Sequence, residues 1–169
     1  QEFQPTCVIH MAAQPLVIES YKDPILTFDT NVLGTANVLE VATTTESVRT
    51  IACITTDKVY QNSNENIKFH EGDILRGTDP YSTSKVAAES VIDAWRNLAN
   101  GRNGANVLTF RSGNVIGGGD YSNNRLMPDI IRNIFSKEPL LIRNPDASRP
   151  WSHVLDPLLG YILSIDYSI

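Results

Sequence analysis

The sequence has no cluster of basic residues and no long apolar run. Its 14 Lys and Arg are outnumbered by 19 Asp and Glu, for a formal net charge of −5, which argues against a nucleic-acid-binding protein. No apolar stretch approaches the roughly 20 residues that cross a bilayer, and no segment is typical of a signal peptide. We therefore expect a cytoplasmic protein without a membrane or nucleic-acid partner.

Cysteine is scarce as well. Only Cys7 and Cys53 are present, and each lies in an apolar run that is typical of a strand. A buried free thiol is more common there than a disulfide, and we expect neither a disulfide nor a metal site. The 169 residues, of which 41% are apolar, suffice for one globular unit with its own core.

The sequence also lacks the glycine-rich turn with which dinucleotide-binding chains open. Such a chain begins with a strand, a Gly-x-Gly-x-x-Gly turn and a helix, followed by an acidic residue about 20 positions on. Here the first six residues lead directly into the apolar run Cys7–Met11. The triple glycine Gly117–Gly119 is no substitute, since no helix is expected directly behind it, and we expect a loop there.

What the sequence does have is two segments that carry reactive side chains. The apolar run Thr50–Ile54 leads into Thr55-Thr56-Asp57-Lys58, as in a buried parallel strand that delivers polar groups to its carboxyl edge. The second segment, Tyr81-Ser82-Thr83-Ser84-Lys85, opens a helix after the start signal Asp79-Pro80. Open α/β sheets bind ligands and perform chemistry at their carboxyl edge.

Tyr81 and Lys85 are one helical turn apart and therefore share a face. An ammonium beside a phenol stabilises the phenolate, so the tyrosine pKa can fall from about 10 toward the range in which it serves as a base. This pairing suits the removal of a proton from a sugar hydroxyl while the same carbon gives up a hydride. The spacing alone also fits a solvated Tyr and Lys, but the Thr-Asp-Lys strand end favours catalysis.

Apolar spacing and start and stop signals predict the main elements. Asp23-Pro24 is typical of a helix start, and apolar residues at helical spacing continue to Val41. Asn31 and Gly34 are poor helix formers in its middle, which indicates close packing there. The other predicted elements are strands at Cys7–Met11, Thr50–Thr55, Asn106–Phe110 and Leu140–Arg143, a loop at Gln61–Ile74, and helices from Tyr81 to about Asn100 and from Arg125 to Phe135.

These motifs resemble a known family. Tyr81-x-x-x-Lys85 with a strand-end threonine is similar to the extended short-chain dehydrogenase/reductases, and Thr56-Asp57 resembles their nucleotide-sugar 4,6-dehydratase branch. The usual next residue in that branch is Glu, whereas Lys58 followed two residues later by a tyrosine is similar to the CDP-glucose 4,6-dehydratases. The segments Arg111–Asp120 and Arg143–Val154 point the same way. The resemblance covers nearly the whole chain.

The resemblance implies an α/β fold: a partial Rossmann-like, doubly wound parallel sheet with part of a small substrate-binding region. Residues 1–115 would be the carboxyl-terminal part of the dinucleotide-binding domain, and residues 116–169 part of the substrate-binding region. Cys7–Met11 would then be the fourth strand, so that three strands and the pyrophosphate loop would be missing and the end would be early. A homodimer or higher homo-oligomer, paired through the helices near Asp23 and Tyr81, is also implied.

The same resemblance implies a mechanism. NAD would accept a hydride from C4 of a nucleotide-diphosphate hexose, CDP-glucose by the motif, and return it to C6. Tyr81 would be the base at the 4-hydroxyl, Thr56 would hydrogen-bond the 4-oxygen, and Asp57 would protonate the leaving 6-hydroxyl. Lys58 replaces the usual Glu, so the identity of the base at C5 stays open, because a lysine must be neutral to take a proton.

The remaining candidates would contact cofactor and substrate. The expected cofactor contacts are Ala12, Ala13, Asn31, Tyr81 and Lys85, and the expected substrate contacts are Asn114, Arg125, Arg143 and Arg149. The arginines suit a diphosphate because a guanidinium group binds phosphate oxygens bidentately. His10 is expected to pack at its strand end rather than to act as an acid or base.

Two alternatives remain beside an active dehydratase. A catalytically inactive, truncated remnant that binds nucleotide sugars or associates with itself would also lack the glycine loop. An epimerase of the same fold is disfavoured by Asp57-Lys58, which oxidation and reduction at C4 alone do not require.

Overall fold

The computed structural model describes residues 3–62, 67–136, 139–142 and 144–169. Its elements are β1 (Cys7–His10), α1 (Val17–Lys22), α2 (Pro24–Phe28), α3 (Gly34–Thr44), β2 (Thr50–Ile54), α4 (Pro80–Asn100), β3 (Asn106–Phe110), β4 (Val115–Ile116), α5 (Leu126–Ser136), β5 (Ser152–His153) and α6 (Leu155–Ser168). Within these residues, no helix has the length and apolar character needed to span a membrane.

The main sheet has three parallel strands in the order β1-β2-β3. Ile51 and Cys53 of the central strand face a core that includes Leu39 of α3 and Ile92 of α4. The alternate residues face α6, where the Thr50 Oγ1 atom is 3.1 Å from Ser168 Oγ. Helices therefore cover both faces of the parallel sheet, which confirms the predicted doubly wound α/β fold.

The helix predicted to follow Asp23 begins where expected. The Asp23 carboxylate accepts a hydrogen bond of 2.9 Å from Leu26 N and caps α2. The helical path continues to Thr44, but residues 29–33 form a π-helical turn between α2 and α3. The close packing predicted at Asn31 is confirmed, since it is 1% exposed. The close packing predicted at Gly34 is wrong, because a Cβ added there would lie 3.8 Å from Asp29 O, an ordinary van der Waals distance.

The predicted helix at Tyr81 and the strand at Asn106–Phe110 are confirmed with nearly the expected bounds. The Asp79 side chain accepts from Ser82 N at 2.9 Å and the Ser82 hydroxyl accepts from Asp79 N, so a capping box fixes the start of α4. Cys53 is buried and Cys7 half-buried, and both are free thiols.

The prediction of a strand at Leu140–Arg143 is wrong for residues 140–142, which the structure describes. Residues 139–142 are irregular, and Arg143 lies outside the described residues. The strand that pairs with β4 is instead β5, through Val115 opposite Ser152. Glycine permits this pairing, because a Cβ at Gly113 would lie 2.7 Å from Pro150 Cγ. In the apolar run 140–142, Leu141 is 82% exposed.

Candidate active site

The Thr-Asp-Lys segment forms a short 3₁₀ turn directly after β2. Thr56 caps this turn, since its Oγ1 atom accepts from Lys58 N at 3.3 Å. The Asp57 N–H donates to the Ser112 carbonyl at 3.0 Å and thereby ties the turn to the end of β3. The carboxyl ends of two neighbouring strands thus hold the three side chains at one edge of the sheet, as the sequence predicted.

The first turn of α4 brings Tyr81 to the same place. Its backbone N–H donates to Ser20 Oγ at 3.1 Å, and its ring is 6.0 Å from Lys58 Nζ. The Thr56 hydroxyl reaches both the Tyr81 side chain and the Asp57 carboxylate, the latter at 3.2 Å. Because a hydroxyl has one proton, Thr56 donates to one of these two groups at a time. The structure therefore brings together Thr56, Asp57, Lys58 and Tyr81.

The pKa of Tyr81 departs from the expectation drawn from the sequence. Burial raises it above the usual value of a phenol. The Thr56 hydrogen bond and the Arg125 charge favour the phenolate, whereas the charges of Asp57 and Asp79 oppose it. The net shift is therefore upward, opposite to the lowering expected from the sequence. The Lys85 ammonium donates to the Ile54 carbonyl at 3.1 Å.

Asp57 has the electrostatics of a proton donor. Burial raises the pKa of its carboxyl group, and this outweighs the Thr56 hydrogen bond and the charges of Lys58 and Arg149, which lower it. A carboxyl group whose pKa is raised holds its proton closer to neutral pH and can deliver it to a leaving group. The geometry therefore suits an acid at Asp57 beside a phenol at Tyr81.

The residues expected to contact a cofactor lie past the end of β1. Ala12 is exposed and Ala13 half-buried. Asn31 accepts from Gln14 N at 2.8 Å and donates to Ser84 Oγ at 2.9 Å, so it anchors the segment after the two alanines to α4. Direct contact of these residues with a cofactor stays a prediction.

His10 packs at its strand end as expected. Its Nε2 atom lies 3.0 Å from Thr35 Oγ1, and burial, together with the charge of Lys85, lowers its pKa. A neutral imidazole held in this way fills the strand end and needs no role in proton transfer.

The candidate substrate residues lie on segments after β3. Arg125 forms an ion pair of 3.0 Å with Asp120, and the exposed Arg149 donates to its neighbour's carbonyl, Ser148 O, at 2.9 Å. The half-buried Asn114 accepts at its backbone oxygen from Ser152 N. Arg143 lies outside the described residues. Phosphate binding by these groups stays a prediction, although the charges of Arg125 and Arg149 reach Tyr81 and Asp57.

Sequence reasoning missed an ion pair between Glu89 and Arg111 beside the 3₁₀ turn. Glu89 lies one turn beyond Lys85 on the same helix face, and Arg111 directly follows β3, so both positions carried a signal that could have been used. Two concavities, of about 460 and 360 Å³, lie on either side of Arg111 and are not lined by Tyr81. We place the candidate site at the open edge near Tyr81 because the reactive groups converge there.

Comparison with known proteins agrees with this geometry. The model of the NAD dependent epimerase/dehydratase family matches residues 1–167. CDP-glucose 4,6-dehydratase of Salmonella typhimurium is 46% identical over 167 residues, which cover 96% of this chain and 46% of that protein. GDP-6-deoxy-D-mannose reductase of Pseudomonas aeruginosa is 32% identical over 165 residues, or 94% of this chain and 53% of that protein.

Solved structures share the fold. A double mutant of the dTDP-glucose 4,6-dehydratase DesIV from Streptomyces venezuelae, determined with NAD bound, superposes with a TM-score of 0.83 at 25% identity, covering 94% of this chain and 47% of that one. The chain thus spans about half the length of the relatives that it matches. Because the family model matches nearly the whole chain, and the relatives align over the segments that carry the Tyr81 cluster, the chain belongs to the NAD dependent epimerase/dehydratase family.

Proposed function

We propose that this chain is the part of an NAD-dependent nucleotide-sugar 4,6-dehydratase that carries the catalytic groups, with CDP-glucose as substrate. The observation that carries the proposal is the convergence of Thr56, Asp57 and Tyr81, since a dehydration needs an acid for the leaving hydroxyl in addition to a base. The Thr-Asp-Lys triplet and the Salmonella typhimurium relative favour CDP-glucose over other nucleotide sugars.

The residues present fit the nicotinamide half of NAD. Lys85 donates one of its three N–H groups to Ile54 O. Its ammonium group lies at the carboxyl edge of the sheet, where a second N–H group can donate to a ribose hydroxyl. Ala12 is exposed and has only a methyl side chain, which allows close approach of a flat ring. When bound, NAD supplies an acceptor for the hydride from C4 and returns that hydride to C6.

Tyr81 takes the proton of the 4-hydroxyl as a carbonyl forms at C4. Burial opposes the phenolate, so the base form depends on groups that favour it, and among the described residues these include the Thr56 hydroxyl and the Arg125 charge. Thr56 can also hydrogen-bond the 4-oxygen. The new carbonyl makes the C5 proton acidic enough for removal.

Elimination then removes one water. A base takes the proton from C5, the C6–O bond breaks, and Asp57 gives its proton to the departing hydroxyl, which leaves as water. We assign the base to Lys58 in its neutral amine form; its backbone N–H donates to Thr56 Oγ1, and its Nζ atom lies 6.0 Å from the centroid of the Tyr81 ring. Return of the hydride to C6 and of a proton to C5 gives a 4-keto-6-deoxy sugar. Asn114, Arg125, Arg143 and Arg149 are proposed to hold the nucleotide diphosphate.

We also propose self-association through the helices before β2. Apolar side chains on α1 and α3 are exposed, among them Tyr21 and Val41 at 65% and 66%. A stable homodimer usually buries more than about 1,200 Å² in total, and we propose that these helices form that surface together with α4, the helix that begins near Tyr81. Light scattering that shows a monomer at high micromolar concentration would count against the dimer.

A chimeric enzyme tests the activity. In the Salmonella typhimurium dehydratase, the segment that matches this chain is replaced by this chain, and the product from NAD and CDP-, dTDP- or UDP-glucose is identified by mass spectrometry. We expect loss of one water, fastest with CDP-glucose, and no product after Tyr81→Phe. The matched control is Tyr167→Phe, because Tyr167 is 96% exposed on α6.

Other outcomes separate the alternatives. Inversion at C4 without loss of water would indicate an epimerase. A folded chimera that binds CDP-glucose and NAD without turnover would support the inactive remnant.

A further inference from the structure

Glu89 and Arg111 form a bidentate ion pair beside the candidate site. Arg111 Nε donates to Glu89 Oε1 at 2.9 Å and Nη2 donates to Oε2 at 2.7 Å. The two side chains are only 6% and 17% exposed. Glu89 belongs to α4, two turns after Tyr81, whereas Arg111 directly follows β3. The pair therefore links the helix that carries Tyr81 to the strand end that binds the Asp57 N–H.

The same pair also holds both ends of the turn that carries Thr56, Asp57 and Lys58. Before the turn, Thr55 Oγ1 donates to Glu89 Oε1 at 2.6 Å. After it, Arg111 Nη1 donates to the Tyr60 hydroxyl at 3.1 Å, and the guanidinium carbon lies 4.9 Å from the Tyr60 ring centroid.

We propose that the Glu89–Arg111 pair positions the Asp57 carboxyl group relative to the Tyr81 hydroxyl. This proposal rests on the proposed dehydratase function, in which Asp57 and Tyr81 act on the same hexose. Tyr81 and Glu89 share a rigid helix, and Asp57 lies between the two residues that Glu89 and Arg111 hold. This charged contact, which neither group makes itself, therefore acts with the Asp57–Ser112 backbone hydrogen bond to set the distance between acid and base.

An ion pair suits this task better than an apolar contact does. A buried charged pair gains little net stability over a hydrophobic replacement of similar volume, because desolvation offsets the attraction. A guanidinium fork on a carboxylate does, however, fix both distance and direction. Arg111 also donates to the Glu71 carbonyl at 3.0 Å, and the Tyr60 ring stacks on Phe69, so the described end of the Gln61–Ile74 loop is held to the same point.

Amide hydrogen exchange on the 169-residue chain tests the positioning directly. Arg111→Lys keeps the positive charge and loses the fork, and Glu89→Gln keeps the shape and loses the negative charge. We expect the Asp57 and Tyr60 amides to exchange at least about tenfold faster in both variants, equivalent to about 1.4 kcal/mol of local opening. The slow amides of β2 should not change.

The matched control is Glu40→Gln. It removes an ion pair of 2.7 Å with Arg102 near the opposite end of α4, with the same change of charge. We expect it to leave the Asp57 amide unaffected. Faster exchange of all slow amides alike would mean that the Glu89–Arg111 pair only stabilises the fold, and that result, or no change at Asp57, would overturn the proposal.

Kinetics of the chimera supply the second measurement. Arg111→Lys should lower kcat about 100-fold, as a small misplacement of reacting groups does, with KM for CDP-glucose unchanged. Unchanged kcat, or a change in KM alone, would overturn the positioning role. If the unsubstituted chimera makes no 4-keto-6-deoxy product, the proposed function fails, whereas the exchange measurement still decides whether the pair holds the turn.

Discussion

Replacing Lys85 by methionine should make the fold more stable. Lys85 is 5% exposed, and burial is the largest cause that lowers the pKa of its ammonium group, partly opposed by Cys53 and Glu89. Its one hydrogen bond within the described residues is the 3.1 Å contact with the Ile54 carbonyl. Methionine has a similar length and an adaptable apolar side chain, so Lys85→Met removes the charge without leaving a large cavity.

The expected gain follows from two opposing contributions. A buried ion costs several kcal/mol of desolvation, whereas one hydrogen bond to a charged group contributes about 1.5–3 kcal/mol. We therefore expect the free energy of unfolding to rise by about 1–2 kcal/mol at neutral pH. For a chain of this length that corresponds to an increase in Tm of about 2–8 °C.

The gain should shrink as the pH rises. Between the lowered pKa of Lys85 in the folded state and about 10.4 in the unfolded state, the unfolded chain binds more protons, so the unsubstituted protein becomes more stable with increasing pH. Lys85→Met does not titrate there, and the difference between the two proteins narrows. Below both pKa values the difference is constant and largest.

Urea unfolding at neutral and alkaline pH, followed by circular dichroism, measures this difference. Lys22→Met is the matched control, because the Lys22 side chain is 65% exposed, and its effect should stay within about 0.5 kcal/mol. A loss of stability in Lys85→Met at neutral pH would show that the ammonium is net stabilising. A gain that does not depend on pH would show that the charge is not its cause.

Four further predictions concern the reaction and the fold. Tyr81→Phe in the chimera should remove kcat and leave KM for CDP-glucose nearly unchanged, because the hydroxyl acts in the transition state; a raised KM with normal kcat would make Tyr81 a binding residue. Lys58→Ala should allow hydride transfer and stall elimination, seen as reduced-nicotinamide absorbance without 6-deoxy product; normal product formation would exclude Lys58 as the C5 base. Gly77→Ala should lower the free energy of unfolding by at least about 2 kcal/mol in urea titrations, because its Cβ would lie 2.2 Å from Thr83 N; an unchanged midpoint would contradict this. NAD should bind the 169-residue chain with a millimolar or weaker Kd, about 4 kcal/mol or less, because the sequence has no glycine-rich pyrophosphate loop, and a micromolar Kd by calorimetry would refute this.

Local signals in the sequence were enough to predict the elements that carry the reactive groups. The Asp79-Pro80 start signal predicted where α4 begins, and the spacing of Tyr81 and Lys85 predicted that they share one of its faces. The apolar run before Thr55 predicted a buried parallel strand and hence a sheet edge bearing Thr56 and Asp57. These features depend on neighbours within one or two turns or one strand, and short-range geometry is the same in any fold that keeps the element.

Only the tertiary structure decided how these elements act together. The apolar run 140–142 is irregular, whereas the segment around Pro150 packs against Gly113 and leads into β5, the strand that pairs with β4. The pKa of Tyr81 rises because the folded chain buries its side chain, an effect that the spacing between Tyr81 and Lys85 does not specify. The Glu89–Arg111 pair joins residues 22 positions apart, and its partners Thr55 and Tyr60 come from a third segment. Burial and ion pairing depend on which segments of the chain are in contact in the folded protein. A linear pattern of residue types does not specify those contacts.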